Sequence, residues 1–265
     1  MKATILACLE AGGKVLTEGF NRVHSVSRKE SASSIVTECD VASEKEIVSI
    51  IQARHPGDNV IGEETGYAWR GSELTWVVDP LDGTSNYAAG LPWFGILIAV
   101  LRGAETIAAG VSFPLGGSLY YSEKGGGVWR DGQLVRVSRE PDLSNMLCSY
   151  GFDSSKDEAA TKRTVAQLAR LANAARNVRC TNCFLDFAHT IDGRFGACVN
   201  LSTKIWDIAG AALMFPEAGG RLVDTRGNPV LFSLDRHDYN RNYAVIGASP
   251  ELLPQVLEAM KEDIF

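Results

Sequence analysis

Asp79 and Asp82 follow the apolar run Trp76-Val77-Val78, three residues apart, and lead into Gly83-Thr84-Ser85. A turn at this point can aim both carboxylates and the Leu81 carbonyl at one spot, with the amides of Gly83, Thr84 and Ser85 facing outward. Hard divalent cations take oxygens of this kind, and the N–H groups at the start of a following helix suit a phosphate. The chemistry within reach is therefore metal-assisted work on a phosphate. Two further carboxylate sites accompany this one. Val60-Ile61-Gly62 is a short apolar strand ending in Glu63-Glu64, and Asp207 opens the apolar stretch from Ile208 to Phe215. Taken alone, Asp207 reads as a helix cap and the Glu pair as a solvated turn.

Taken together, Gly62-Glu63-Glu64-Thr65, Asp79-Pro80-Leu81-Asp82-Gly83-Thr84-Ser85-Asn86, Trp206-Asp207-Ile208-Ala209-Gly210 and Glu217-Ala218-Gly219-Gly220 resemble the inositol monophosphatase family, in the family's motif order. The resemblance implies a Mg2+-dependent phosphomonoesterase with roughly two to three ions per subunit, two of them roughly 3.5–4 Å apart. Glu63, Asp79 and the Leu81 carbonyl would hold one ion, and Asp79 would bridge to a second shared with Asp82 and Asp207. Thr84 would orient the attacking water and, with Asp82, Gly83 and Ser85, hold the phosphate. Asp40 falls where the family keeps an Asp bonded to that Thr, which makes Asp40–Thr84–water a general-base relay with Glu63 beside it. Asp40 also reads as an N-terminal helix cap, and the two roles can coexist.

Lys29 stands where the family places a basic lid residue near a third, loosely held ion, although its surroundings also fit plain surface charge. Asn200 occupies the position at which inositol-specific relatives carry a Glu that grips ring hydroxyls, and an amide offers a donor and an acceptor without charge. Inositol 1-phosphate leads the implied substrates, followed by histidinol phosphate, fructose 1,6-bisphosphate and 3′-phosphoadenosine 5′-phosphate. Relatives are commonly dimeric and lithium-sensitive, so a homodimer is expected. An aspartyl-phosphate enzyme would need Asp-x-Asp-x-Thr, and Asp79-x-x-Asp82-x-Thr84 is one residue too long. The alternative from another class is a catalytically silent metal- or ligand-binding regulator on the same fold. The presence of Glu63, Asp79, Asp82, Thr84 and Asp207 argues against it.

The elements that must position these residues follow from periodicity. Ile5, Leu6, Leu9, Val15, Leu16 and Phe20 recur at helical spacing, interrupted by Gly12-Gly13. The Ser-rich stretch 21–36 reads as loop or weak hairpin, and Ser43 as the cap of a helix running to about Ala53. Strands are expected at about 59–62, 74–79, 92–102, 106–114 and 117–123. Beyond residue 150 helices and strands alternate: helices at 157–172 and 183–191, strands near 177 and at 194–199, the Asp207 helix, strands near 220–224 and 242–247, and a last helix at 249–262. This is an α+β chain with an N-terminal α+β half, about 1–150, and a C-terminal α/β half, about 151–265. The family resemblance implies the layered α-β-α-β-α sandwich of the sugar phosphatases, one domain over 1–265.

At 265 residues and 45% apolar content the chain can bury a sizeable core. Its formal charge of -6 comes without a Lys/Arg stripe, which argues against nucleic acid as a partner. Arg170, Arg176 and Arg179 read as a helix end. No apolar span is long enough for a membrane helix, so the cytoplasm is the expected compartment; the family resemblance implies a small phosphate monoester as the partner. The six cysteines read as buried structural thiols, the Cys180-x-x-Cys183 pair included, because no second pair or His cluster accompanies it. Trp93, Phe94 and Trp206 read as core, and the four histidines form no motif with one another.

Overall fold

The structure, a computed structural model, describes residues 1–20, 26–28, 35–153 and 157–261; Lys29 lies outside these. Helix α1 (Lys2–Gly19) packs on α2 (Glu38–Arg54), and between them in sequence lie the short antiparallel strands β1 (Val26–Arg28) and β2 (Ile35–Thr37). Next come β3 (Asn59–Gly62), β4 (Gly66–Ala68), β5 (Leu74–Asp82), a short helix α3 (Thr84–Ala88), β6 (Gly95–Arg102), β7 (Glu105–Phe113), β8 (Ser118–Glu123), β9 (Val128–Arg130) and β10 (Gln133–Val135). The eight strands form one sheet in the order β10-β9-β8-β7-β6-β5-β3-β4. Only β3 and β5 in it run parallel.

The remainder comprises β11 (Leu147–Gly151), α4 (Glu158–Ala174), β12 (Asn177–Arg179), α5 (Leu185–Ile191), β13 (Phe195–Thr203), α6 (Ile205–Glu217), β14 (Arg221–Asp224), β15 (Tyr243–Ala248) and α7 (Leu253–Ala259). Its five strands are ordered β12-β11-β13-β15-β14. Helices α1 and α2 cover one face of the large sheet. Helix α6 covers the other and, with α5, meets the second sheet, while α4 and α7 pack together against that sheet's strands β12 and β15. The layering is α-β-α-β-α, as the family resemblance implies.

Strand β6 shows why the sequence folds this way. Ile96, Ile98 and Val100 join the core beneath α1 and α2, whereas Leu97, Ala99 and Leu101 join the core shared with α5 and α6. A strand with period-two alternation and apolar residues at both phases must be buried on both faces. Each buried Ile, Leu or Val among them contributes about 1.5–3 kcal/mol. Helix α6 is apolar around its circumference for the same reason: it lies between two sheets.

Gly12 sits inside α1 because a Cβ there would lie 2.9 Å from Ser43 Oγ and 3.0 Å from both Ile47 and Ile96. The glycine that interrupts the periodicity is what lets α1 approach α2. Several expectations are corrected here. Helix α2 begins at Glu38 and is capped by Thr37, not Ser43, because Thr37 and Asp40 form a reciprocal capping box. Ser43 lies inside the helix, where its hydroxyl donates to the Pro80 carbonyl at 2.9 Å. Strand β6 starts at Gly95, not 92, and the last helix is shorter than expected. The Trp93 side chain is 43% exposed and so is not core, whereas Phe94 is buried against Phe20 and Tyr87. Cys180 is exposed; the other five cysteines are buried. Arg170 does serve a helix end, but that of α7, where it donates to the carbonyls of Ala259 and Lys261.

Candidate active site

Strand β5 carries the central carboxylates on a bulge. Asp79 pairs with Leu97 and Asp82 with Gly95, so β5 holds one more residue than β6 across this stretch. Pro80 is tolerated because a bulge relieves it of a ladder hydrogen bond, and Ser43 holds its carbonyl from the α2 side. Asp79 is 1% exposed and accepts the Leu81 amide at 3.0 Å. Asp82 accepts the Phe184 amide at 2.5 Å, from the segment that starts α5. Gly83 follows in left-handed conformation (φ 85°), and a Cβ on it would fall 2.7 Å from the Trp93 carbonyl.

Register brings Glu63 to the same place. Gly62 pairs with Val78 across parallel β3 and β5, which makes Glu63, just past the end of β3, a neighbour of Asp79 on β5. Glu44 is fully buried in α2, and it accepts the amides of Glu64 and Thr65 at 2.9 and 2.8 Å. That carboxylate shapes the turn that presents Glu63. A Cβ on Gly62 would come within 2.4 Å of Glu44 Oε1.

Asp207 arrives from the other sheet's side. It sits in the first turn of α6, and its Oδ2 accepts from Thr203 Oγ1 and the Lys204 amide, both at 2.7 Å. It is therefore a capping residue, and a neighbour of Asp79 as well. Asp40 has the same duality. Its Oδ2 accepts from the Thr37 amide at 2.8 Å and from the Thr37 hydroxyl at 2.6 Å, while its Oδ1 accepts from Thr84 Oγ1 at 2.9 Å. The Thr84 hydroxyl also lies 3.0 Å from the Leu81 carbonyl.

The electrostatics are those of crowded acids. Burial, and then the charges of Glu63, Asp82 and Asp207, push the Asp79 carboxyl well above the usual carboxylate range. Burial also drives Asp82 up, against the opposing Phe184 hydrogen bond, and raises Asp207. Asp79 lies in carboxyl–carboxylate hydrogen-bonding reach of both Glu63 and Asp207. Among the described residues no three ligating side chains already enclose a point as a finished cage; the acids approach pairwise. Buried carboxylates that repel one another, beside a backbone carbonyl, are donors a hard divalent cation would relieve, so the donor set fits Mg2+.

Next to these acids lies a cavity of about 150 Å³, lined in part by Asp82, Asp207, Asn200, Ser202, Asn182 and Asp153. Asn200 thus shares a wall with Asp82 and Asp207. Its neighbour across β11 is Gly151, where a Cβ would lie 3.0 Å from the Asn200 amide nitrogen. Ser85 is exposed at the start of α3.

Sequence reasoning missed Glu44, Asp153 and the part played by Asn182. Asn182 has φ 56°, accepts the Phe152 amide at 2.8 Å and donates to Asp153 at 2.8 Å. Glu44 had a usable signal. Asp40, Glu44, Ile47 and Ile51 form one buried stripe of α2, and an acid inside an apolar stripe needs a partner. Asp153 and Asn182 lie far apart in sequence and had none.

A family model described as "Inositol monophosphatase family" matches residues 1–264. The Nus factor SuhB of Pasteurella multocida is 28% identical over 255 residues, covering 94% of this chain and 91% of its own. The fructose-1,6-bisphosphatase/inositol-1-monophosphatase of Aquifex aeolicus is 31% identical over 219 residues, 79% of this chain and 80% of its own. Among solved structures, the extragenic suppressor protein SuhB of Bartonella henselae superposes with a TM-score of 0.90 at 24% identity, over 99% of both chains.

Proposed function

Because the chain belongs to the inositol monophosphatase family, we propose that it hydrolyses a small polyol phosphate with Mg2+, by direct attack of water. The observation that carries this reading is the Thr84 hydroxyl, bonded to buried Asp40 and placed beside Asp79 and Asp82 on one bulge. Glu63, Asp79, Asp82, Asp207 and the Leu81 carbonyl would hold the ions, roughly two to three in all. When bound, Mg2+ supplies positive charge to the phosphate oxygens and to the departing alkoxide.

The protein's own part is proton handling and placement. Thr84 Oγ1 donates to Asp40 Oδ1, which leaves its lone pairs to accept a proton from the attacking water. Asp40 stays fixed by its two bonds from Thr37, so the relay keeps its direction. The amides of Gly83, Thr84 and Ser85 would hold the phosphate, and Asn200, Ser202 and Asn182 would take the hydroxyls of the alcohol. Lys29 is proposed as a lid residue from its position in the sequence alone. A cytoplasmic homodimer is part of the same reading; no helix among the described residues is long and apolar enough to cross a membrane.

Inositol 1-phosphate leads the substrates and histidinol phosphate follows. The described lining of the alcohol pocket holds amides, a hydroxyl and carboxylates, and these suit a neutral or cationic alcohol better than a second phosphate. Fructose 1,6-bisphosphate and 3′-phosphoadenosine 5′-phosphate come after. The test is phosphate release from these four compounds with Mg2+, with EDTA, and with Mg2+ plus lithium. Mg2+-dependent release that prefers one compound by tenfold, about 1.4 kcal/mol, supports the reading. No release from folded, Mg2+-loaded protein defeats it. A second reading rests on the match to the Nus factor across nearly the whole chain: a binding role in a larger assembly, with or without turnover. Asn200→Glu separates substrate recognition from both readings, because it should reorder the four compounds towards inositol 1-phosphate without changing Mg2+ dependence.

A further inference from the structure

Strand β13 is a wall between two cavities. Asn200 and Ser202 face the catalytic one, and Leu201, at the opposite phase of the strand, faces another of about 710 Å³ between α4 and α7. That volume falls in the range of about 300–1,000 Å³ typical of small-molecule sites. Three cations line the second cavity: Arg163 from α4, Arg226 after β14 and Lys261 after α7. No carboxylate among the described residues lines it. Lys261 shares its charge with Glu258, and Arg226 lies near Asp224. Arg163 has no ion pair among the described residues, which leaves it the cation most available to a ligand. The rest of the lining is mixed, with Leu201, Ala244 and Leu257 among its apolar residues and Thr164, Gln167 and Thr225 among its polar ones.

Cations and apolar side chains lining one cavity, in a chain whose formal charge is -6, select an anion that also carries an apolar or aromatic body. A simple inorganic anion would leave that apolar lining wet, and a neutral apolar compound would leave Arg163 without a counter-charge. We propose that this cavity binds a small organic phosphate. Its phosphoryl group lies between Arg163 and Arg226, and its body rests on Leu201, Ala244 and Leu257. The site is separate from the one that turns over substrate and needs no metal.

The probe is AMP, titrated calorimetrically in EDTA at about 0.15 M salt, where charges more than about 8 Å apart are screened. The expected result is one site, weakened at least tenfold in the double variant Arg163→Glu/Arg226→Glu and by a smaller factor in Arg163→Ala. Both arginines are exposed, so melting curves of the variants should match the parent's. Adenosine and inorganic phosphate should each bind at least tenfold more weakly than AMP. No AMP binding at millimolar concentration overturns the proposal. So does binding that the charge reversals leave unchanged, which would place AMP in the catalytic cavity, or adenosine binding as tightly as AMP. Because metal and turnover are absent from this experiment, its failure would say nothing about phosphatase activity.

Discussion

Thr84 has one hydroxyl hydrogen and two acceptors, Asp40 Oδ1 at 2.9 Å and the Leu81 carbonyl at 3.0 Å. Catalysis by the relay requires the first. Thr84→Ala should therefore lower kcat by about 10²–10⁴, the usual span for lost acid–base help, while Mg2+ stabilises the folded protein as before; a kcat within threefold of the parent would remove Thr84 from the mechanism. Asp186 poses a different question. It is buried in the first turn of α5, one of its oxygens has no hydrogen-bond partner, and burial pushes its carboxyl up to about 6. A carboxyl raised in the folded state favours its protonated form, so its cost is absent below the unfolded value and grows as pH rises towards 6. Asp186→Asn should stabilise the protein by about 2–3 kcal/mol at pH 7 and by about half that at pH 5. Urea unfolding at the two pH values checks this, and a pH-independent difference would contradict it.

At the scale of elements, α2 does more for the site than its distance in sequence suggests. It supplies Asp40 to Thr84, Ser43 to the Pro80 carbonyl and Glu44 to the turn after β3. Glu44→Ala would strand two amides that now share one carboxylate. The expected loss is about 2–4 kcal/mol of stability, with a rise in the Mg2+ concentration needed for half-maximal activity because Glu63 is no longer held. Thermal melting and a Mg2+ titration read the two effects separately. A loss of stability without any change in Mg2+ requirement would mean that the turn does not position Glu63.

At the scale of the whole molecule, the carboxylates converge only when two layers do: Glu63 follows β3 and Asp79 lies on β5 in the large sheet, and Asp207 starts the helix between the sheets. Mg2+ should consequently act on global stability. At about a hundred times its Kd it should add roughly 2.7 kcal/mol, a rise in Tm of about 5–10 °C. Asp79→Asn should abolish that rise together with nearly all turnover, and equal Mg2+ stabilisation of parent and variant would rule out a metal site at Asp79.

Much of this arrangement is legible in the chain, because short motifs with fixed spacing mark buried elements: Gly62-Glu63 after an apolar strand, Asp79 and Asp82 following the run Trp76-Val77-Val78, Asp207 at a helix start; the turn expected after residue 79 is instead a bulge within β5, which continues to Asp82. Doubly apolar β6 likewise announces burial on both faces. What could not be read depends on long-range packing. Ser43 looks like a cap until α2 is seen to begin at Glu38, behind the Thr37 cap, and lie against Pro80. The pair Asp153–Asn182 exists only because the ends of β11 and β12 run side by side.

Asp40 and Asp207 each spend one oxygen on starting a helix and turn the other side of the carboxylate toward the site. The consequence concerns descent. A lineage that abandoned hydrolysis for some other duty would still need α2 and α6 to begin where they do, so selection for folding alone would retain both aspartates. Thr84 and Glu63 carry no such obligation and would drift first. Among diverged copies of this chain, retention of Asp40 and Asp207 therefore says little about whether chemistry survives, while the fates of Thr84 and Glu63 separate working descendants from repurposed ones.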